Sequence, residues 1–124
     1  MDILIIDDSA FSQRIIANLV QKYLEHVKIY FAKDGEEGLE KYKAIKPEYT
    51  FVDLLMPKLN GEGLIKLINE YNSNAKIIVV SADVQKSIKE DMNKYGIMSF
   101  INKPFTEEKA KYICEIIRND KNDR

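Results

Sequence analysis

Residues 50–55, Thr-Phe-Val-Asp-Leu-Leu, form a short apolar run that carries one carboxylate, Asp53, near its end and breaks at Pro57. A strand buried on both faces of a parallel sheet is almost wholly apolar, because helices cover it from either side. A carboxylate in such a strand needs a physical reason. Buried without a partner it would cost several kcal/mol or take up a proton, so Asp53 should sit at the solvent-facing carboxyl end of the strand with a cation beside it.

The rest of the chain repeats this unit. Residues 2–7 read as a first strand, with four consecutive aliphatics ending on acid, and residues 76–81 as a fourth, through Ile77, Ile78, Val79 and Val80. Residues 27–32 and 98–101 supply the second and fifth. Between the strands the apolar residues recur at helical spacing. Phe11, Ile15, Ile16, Leu19, Val20, Tyr23 and Leu24 follow a Ser9 cap, and Leu39, Tyr42 and Ile45 run from Asp34-Gly35 to Pro47. Leu64, Leu67, Ile68 and Tyr71 should face inward from a helix over residues 63–72 that follows an Asn60-Gly61 turn. Val84, Ile88, Met92 and Tyr95 mark a helix over residues 84–95 that Gly96 ends, and Ala110, Ile113, Cys114 and Ile117 a last one capped by Thr106. Five strands alternating with five helices through short connections imply an α/β fold, a parallel sheet with helices on both faces.

At 124 residues the chain is one domain, expected over residues 1–119, with a polar tail at 120–124 that frays from Asn119. A net charge of −1 gives no general attraction to nucleic acid or to an anionic membrane. The apolar opening is too short for a signal-peptide core, no later stretch could span a bilayer, and the single cysteine fits a reducing compartment; a cytoplasmic location is expected. Cys114, on an apolar stripe, reads as a small buried hydrophobe, and His26, the only histidine, has no second histidine or cysteine with which to share a metal.

In open parallel sheets ligands bind beyond the carboxyl ends of the strands, where strand order reverses. The first strand ends in Asp7-Asp8, the third in Asp53, the fourth in Ser81, and the fifth is followed by Lys103-Pro104. Converging carboxylates repel one another unless a cation lies among them, and an all-oxygen acidic pocket suits Mg2+. A lysine ammonium and a serine hydroxyl are both suited to phosphoryl oxygens. These parts match phosphoryl transfer to a carboxylate: a nucleophile, a metal, a lysine, and a hydroxyl that senses arrival.

With Asp7-Asp8, Asp53 followed by Met56-Pro57 and Gly61, Ser81-Ala82, and Lys103-Pro104-Phe105 in this order, the whole chain resembles the receiver domain of two-component response regulators. The resemblance implies a doubly wound, flavodoxin-like sheet in the order 2-1-3-4-5. It implies that Asp53 accepts a phosphoryl group from a histidine kinase or histidine phosphotransfer protein. Asp8 would bind Mg2+ directly, Asp7 mainly through water, and Asp53 and the backbone carbonyl of Leu55 would complete the protein ligands. Ser81 would turn to the phosphoryl group, Lys103 would pair with Asp53 before transfer and with the phosphoryl group after it, and Phe100 would be the aromatic that swings inward. The Lys103-Pro104 bond would be cis. Aliphatic Leu55 stands where some fast-cycling relatives carry a polar side chain able to orient the hydrolytic water, so a comparatively long-lived phosphorylated form is expected. Lys86, Lys89, Lys94, Lys109 and Lys111 read either as a solvated face or as part of a partner surface formed by helix four, strand five and helix five.

Other functions share parts of this pattern. A small Mg2+-dependent phosphatase of the haloacid-dehalogenase type would need Asp-x-Asp after the first strand and usually a cap insertion, whereas here the acids are adjacent and the acceptor is on the third strand. A flavodoxin-like electron carrier would need a Ser/Thr/Gly-rich phosphate loop after the first strand, which is absent. A degenerate receiver acting only as a scaffold would have no need of the acidic trio, hydroxyl and lysine. The chain reads as a regulatory domain rather than an enzyme, either standing alone or excised from a longer regulator, with a downstream protein target.

Overall fold

In the computed structural model, which describes residues 1–82 and 84–122, five strands and five α-helices alternate. β1 (Asp2–Ile6) leads to α1 (Ala10–Tyr23), β2 (Lys28–Ala32) to α2 (Gly35–Ile45), and β3 (Tyr49–Val52) to α3 (Gly61–Tyr71). β4 (Ile77–Ser81) leads to α4 (Lys86–Met92), which tightens into a 3-10 turn at Asn93–Tyr95, and β5 (Ile97–Asn102) to α5 (Glu107–Asn122). The strands form one parallel sheet in the order β2-β1-β3-β4-β5. Strand order therefore reverses at β1, between β2 and β3, and the crevice for a ligand opens beyond the carboxyl ends there.

The two core layers follow from the period-two alternation of a strand. Ile3 and Ile5 point to one face, where Ile16 and Val20 of α1 and Ile113, Cys114 and Ile117 of α5 cover them. Leu4 and Ile6 point to the other, against Tyr42 of α2, Leu64, Ile65 and Ile68 of α3, and Met92 of α4. Both faces are thus covered, which is why β1, β3 and β4 are built almost entirely of apolar residues. Truncating one of these isoleucines to alanine should cost about 2–5 kcal/mol.

Side-chain caps fix where α1, α2, α3 and α5 begin. Ser9 accepts from the Ser12 N–H at 3.1 Å, Asp34 from Glu37 at 2.8 Å and Thr106 from Lys109 at 3.3 Å. Asn60 accepts from Gly63 at 2.9 Å, so the expected Asn60-Gly61 turn is a helix cap and α3 begins at Gly61 rather than at residue 63. α4 is shorter than expected: Val84 lies before it, and residues 93–95 wind more tightly until Gly96, at φ +71°, ends the turn. α5 continues past the expected fraying point at Asn119 to Asn122, where Asp120 accepts from the buried Tyr49 hydroxyl at 2.5 Å and from Lys76 at 3.2 Å. The last two residues of the expected tail lie outside the described residues.

Helical spacing overstated the buried stripes at their edges. Phe11 is 75% exposed because it sits in the first turn of α1, beyond the rim of the sheet, and Leu67 and Tyr71 are exposed on the flank of α3, where Ile65 takes the inward place instead.

Candidate functional site

Register brings the chemistry together. Ile6 pairs with Val52 across β1 and β3, so Asp7 and Asp53 leave the sheet side by side, and the Asp53 N–H donates to the Ile6 carbonyl at 3.0 Å. Ser81 pairs with Asn102 across β4 and β5, and the Lys103 N–H donates to the Ser81 carbonyl at 2.8 Å, bringing the lysine to the same rim.

Asp53 follows the last residue of β3 and is only 5% exposed, so the expectation that it lies in contact with solvent is corrected. The β3–α3 loop closes over it. The Leu55 N–H donates to Asp53 Oδ1 at 3.0 Å, and the Gly61 N–H donates to the Leu54 carbonyl at 3.1 Å. Gly61 is required by this closure, since a Cβ there would stand 2.4 Å from the Asp53 carbonyl oxygen. The expected cation is present: the Lys103 ammonium lies 3.0 Å from Asp53 Oδ2 and 2.9 Å from Asp7 Oδ2. The fully buried Ser81 hydroxyl donates to Asp53 Oδ1 at 2.8 Å. Burial works against the Lys103 ammonium, but bonds to Asp7 and Asp53 outweigh it and hold its pKa above the ordinary lysine value.

Asp7 is held at every polar atom. Its Oδ1 accepts from the Ser9 N–H at 2.9 Å, its Oδ2 meets Lys103, its N–H donates to the Ala32 carbonyl at 3.0 Å, and its own carbonyl accepts from Gln13 at 2.7 Å. Asp8 is exposed and bonds to no other group among the described residues. Ligand oxygens of Asp7, Asp8 and Asp53 nevertheless lie within 4.8 Å of one another. Hard oxygen donors at this spacing fit a hard divalent cation such as Mg2+, and Asp8 is the carboxylate with both oxygens uncommitted. Leu55, whose carbonyl was an expected ligand, stands next in the same loop with its side chain 60% exposed.

The Lys103-Pro104 bond is cis, as expected. Phe105, directly after it, packs edge-to-face on Phe51 of β3 at 6.3 Å and anchors the loop that presents the lysine. Phe100 is half-buried, packed against the same core layer as Val79, its partner across the β4–β5 ladder. Ser81 lies two residues beyond Val79 and so shares that face of the sheet. Cys114 is fully buried, and burial pushes its thiol up to about 11.

Sequence reasoning missed the groups that brace the site through backbone atoms. Gln13 donates to two carbonyls at the ends of β1 and β2. Lys109, read as part of either a solvated face or a partner surface, donates to the carbonyls of Asn102 at 2.6 Å and Pro104 at 3.1 Å, on either side of Lys103. The Asn102 side chain accepts from the Val84 N–H at 3.2 Å. A bond to a backbone carbonyl leaves no mark in a sequence, because every residue offers one. Helical spacing after Asp7-Asp8 does place Gln13 on the first turn over the strand ends, and that was the available signal.

The model of the response regulator receiver domain matches residues 3–115. The chemotaxis protein CheY of Thermotoga maritima is 40% identical over 103 residues, which span 83% of this chain and 85% of that protein. CheY of Bacillus subtilis is 35% identical over 108 residues, spanning 87% and 89%. The chain also matches protein-glutamate methylesterase/protein-glutamine glutaminase 3 of Geobacter sulfurreducens at 33% identity, over 27% of that protein. A chain of the CheX-CheY-BeF3-Mg+2 complex from Borrelia burgdorferi superposes with a TM-score of 0.86 at 29% identity, covering 94% of this chain and 89% of that one. Among the described residues no helix is long and apolar enough to cross a membrane.

Proposed function

The chain belongs to the response regulator receiver family, and from that membership we propose that it is a signalling switch turned on by phosphoryl transfer to Asp53. The observation that carries this reading is a buried carboxylate held between an ammonium at 3.0 Å and a hydroxyl at 2.8 Å, beside an uncommitted Asp8.

An Asp53 oxygen attacks the phosphorus of a phosphohistidine on a histidine kinase or histidine phosphotransfer protein. The new O–P bond forms as the P–N bond breaks, and the imidazole leaves with a proton. Lys103 then exchanges its bond to Asp53 for one to a phosphoryl oxygen, while keeping Asp7 in place. The residues that would hold Mg2+ are Asp8, Asp7, Asp53 and the Leu55 carbonyl, and the ion supplies positive charge against the oxygens of the transferring group. The Ser81 hydroxyl turns from Asp53 to the phosphoryl group, and Phe100, on the same face of the sheet, moves inward behind it. A phosphoryl group adds about −1.5 to −2 charges, and stabilising one arrangement by a few kcal/mol makes a minor population dominant. The readout is the surface of α4, β5 and α5, where Lys86, Lys89, Lys94 and Lys111 are exposed toward a downstream protein. Exposed, aliphatic Leu55 orients no hydrolytic water, so the phosphorylated form is long-lived.

The protein acts in the cytoplasm, where such kinases present their phosphohistidine. The receiver unit takes in residues 1–119, with α5 continuing to Asn122. A second reading, a receiver module of a longer regulator, is favoured by the match to 27% of the Geobacter methylesterase, and it uses the same chemistry at Asp53. The experiment is labelling by a small phosphodonor with Mg2+, read by intact mass. Wild type should gain one phosphoryl group and Asp53→Asn none; equal labelling of the two rejects the acceptor assignment.

A further inference from the structure

The Asp8 side chain is exposed and bonds to no other group among the described residues, so the point and the bond direction from which it leaves the chain are set by its backbone. The peptide unit that carries it begins at the Asp7 carbonyl. That carbonyl lies beyond the last β1–β2 pair, Ile6 with Ala32, and the ladder of the sheet does not reach it. Gln13 does. From the first turn of α1, its side-chain amide donates to the Asp7 carbonyl at 2.7 Å and to the Ala32 carbonyl at 3.0 Å. The Ala32 carbonyl also accepts from the Asp7 N–H at 3.0 Å. One carboxamide, with two N–H groups in one plane, thus supplies a further rung joining β1 to β2.

We propose that Gln13 is a positioning residue for the acidic pair, clamping the Asp7–Asp8 peptide so that the Asp8 carboxylate faces the position of a divalent cation beside Asp53. The inference rests on the reading of the acidic trio as a Mg2+ site. Two features favour orientation over general adhesion. The Asp7 side chain is fixed independently, by the Ser9 N–H and Lys103, so releasing Gln13 frees the peptide beyond Asp7 rather than Asp7 itself. The helix does not depend on the amide either, since the Gln13 N–H is satisfied by the Ser9 carbonyl at 3.0 Å and Ser9 caps the first turn. Residues that orient metal ligands from behind typically change affinity by about tenfold or more when removed.

The test is calorimetric titration of the unphosphorylated full chain with Mg2+ alone, on wild type, Gln13→Met, Asp8→Asn and the double variant. Methionine keeps the length and helix preference of glutamine and removes both donors, and urea unfolding without Mg2+ verifies that each variant is folded; Gln13→Leu serves if methionine fails. The expected result is Mg2+ binding about tenfold weaker in Gln13→Met, with no further loss when the substitution is added to Asp8→Asn. A merely structural role lowers the urea midpoint and leaves Mg2+ affinity unchanged, or weakens it equally with and without Asp8; either result overturns the proposal. Absence of saturable Mg2+ binding by wild type overturns the metal site itself, and the Gln13 role with it, which separates that failure from one confined to Gln13.

Discussion

Asp8→Asn should make the protein more stable and less able to bind Mg2+ at once. Ligand oxygens of Asp7, Asp8 and Asp53 lie within 4.8 Å of one another, with Lys103 bonded to two of the three. At that separation a pair of unit charges interacts by about 3.5 kcal/mol at an effective dielectric of 20 and by about 0.9 kcal/mol in bulk water. Asp8 repels two carboxylates and is attracted by one ammonium, so the balance is roughly one repulsive pair. Its exposure places it toward the screened end of that range. Neutralising it should therefore stabilise the fold by about 1 kcal/mol, measured by urea unfolding near neutral pH without divalent cations. Mg2+ at about ten times its dissociation constant adds roughly 1.4 kcal/mol to wild type by mass action and far less to the variant, which cancels or reverses the order. If Asp8→Asn is the less stable protein without Mg2+, the acids do not repel one another as the geometry requires. If Mg2+ stabilises both equally, Asp8 is not a ligand.

Three other outcomes follow from single residues. The Thr50 hydroxyl is fully buried and finds no partner among the described residues, so Thr50→Val should raise stability by about 1 kcal/mol in the same assay; a loss would mean that the hydroxyl is satisfied. Gly61→Ala forces a methyl within 2.5 Å of Leu54 Cα and should cost about 1–3 kcal/mol while slowing labelling of Asp53, because the loop over the carboxylate is pushed aside. Folding raises the Lys103 pKa, so its ion pairs stabilise fully below the unfolded value near 10.5 and are lost as pH climbs through the higher folded value; Lys103→Met should lack that alkaline component of the unfolding profile.

The parts of the fold that could be read in the sequence are those where burial dictates composition. β1, β3 and β4 are covered on both faces, so they had to be apolar runs, and the acids and the hydroxyl stood out as exceptions at their ends, with the lysine following β5. The edges of helix stripes were less legible, because periodicity gives the direction of a face but not its width or where the sheet beneath it stops. Phe11, Leu67 and Tyr71 keep the spacing of buried residues while lying past that edge. The burial of Asp53 was misjudged for a related reason. A strand end usually meets solvent, but the loop that follows, closed through Gly61 and Leu55, covers this one together with Ser81 and Lys103. Gln13 and Lys109 act on backbone carbonyls, which no residue pattern announces.

The central claim is that the Asp53 carboxylate is the nucleophile toward phosphorus. Borohydride reduction after treatment with a phosphodonor and Mg2+ tests it most directly, because an aspartyl phosphate is reduced to homoserine while a free carboxylate is untouched. Peptide mass mapping should find homoserine at position 53, and only when donor and Mg2+ are both present. Homoserine at position 7 or 8, or a stably phosphorylated protein with aspartate unchanged at position 53, would contradict the account.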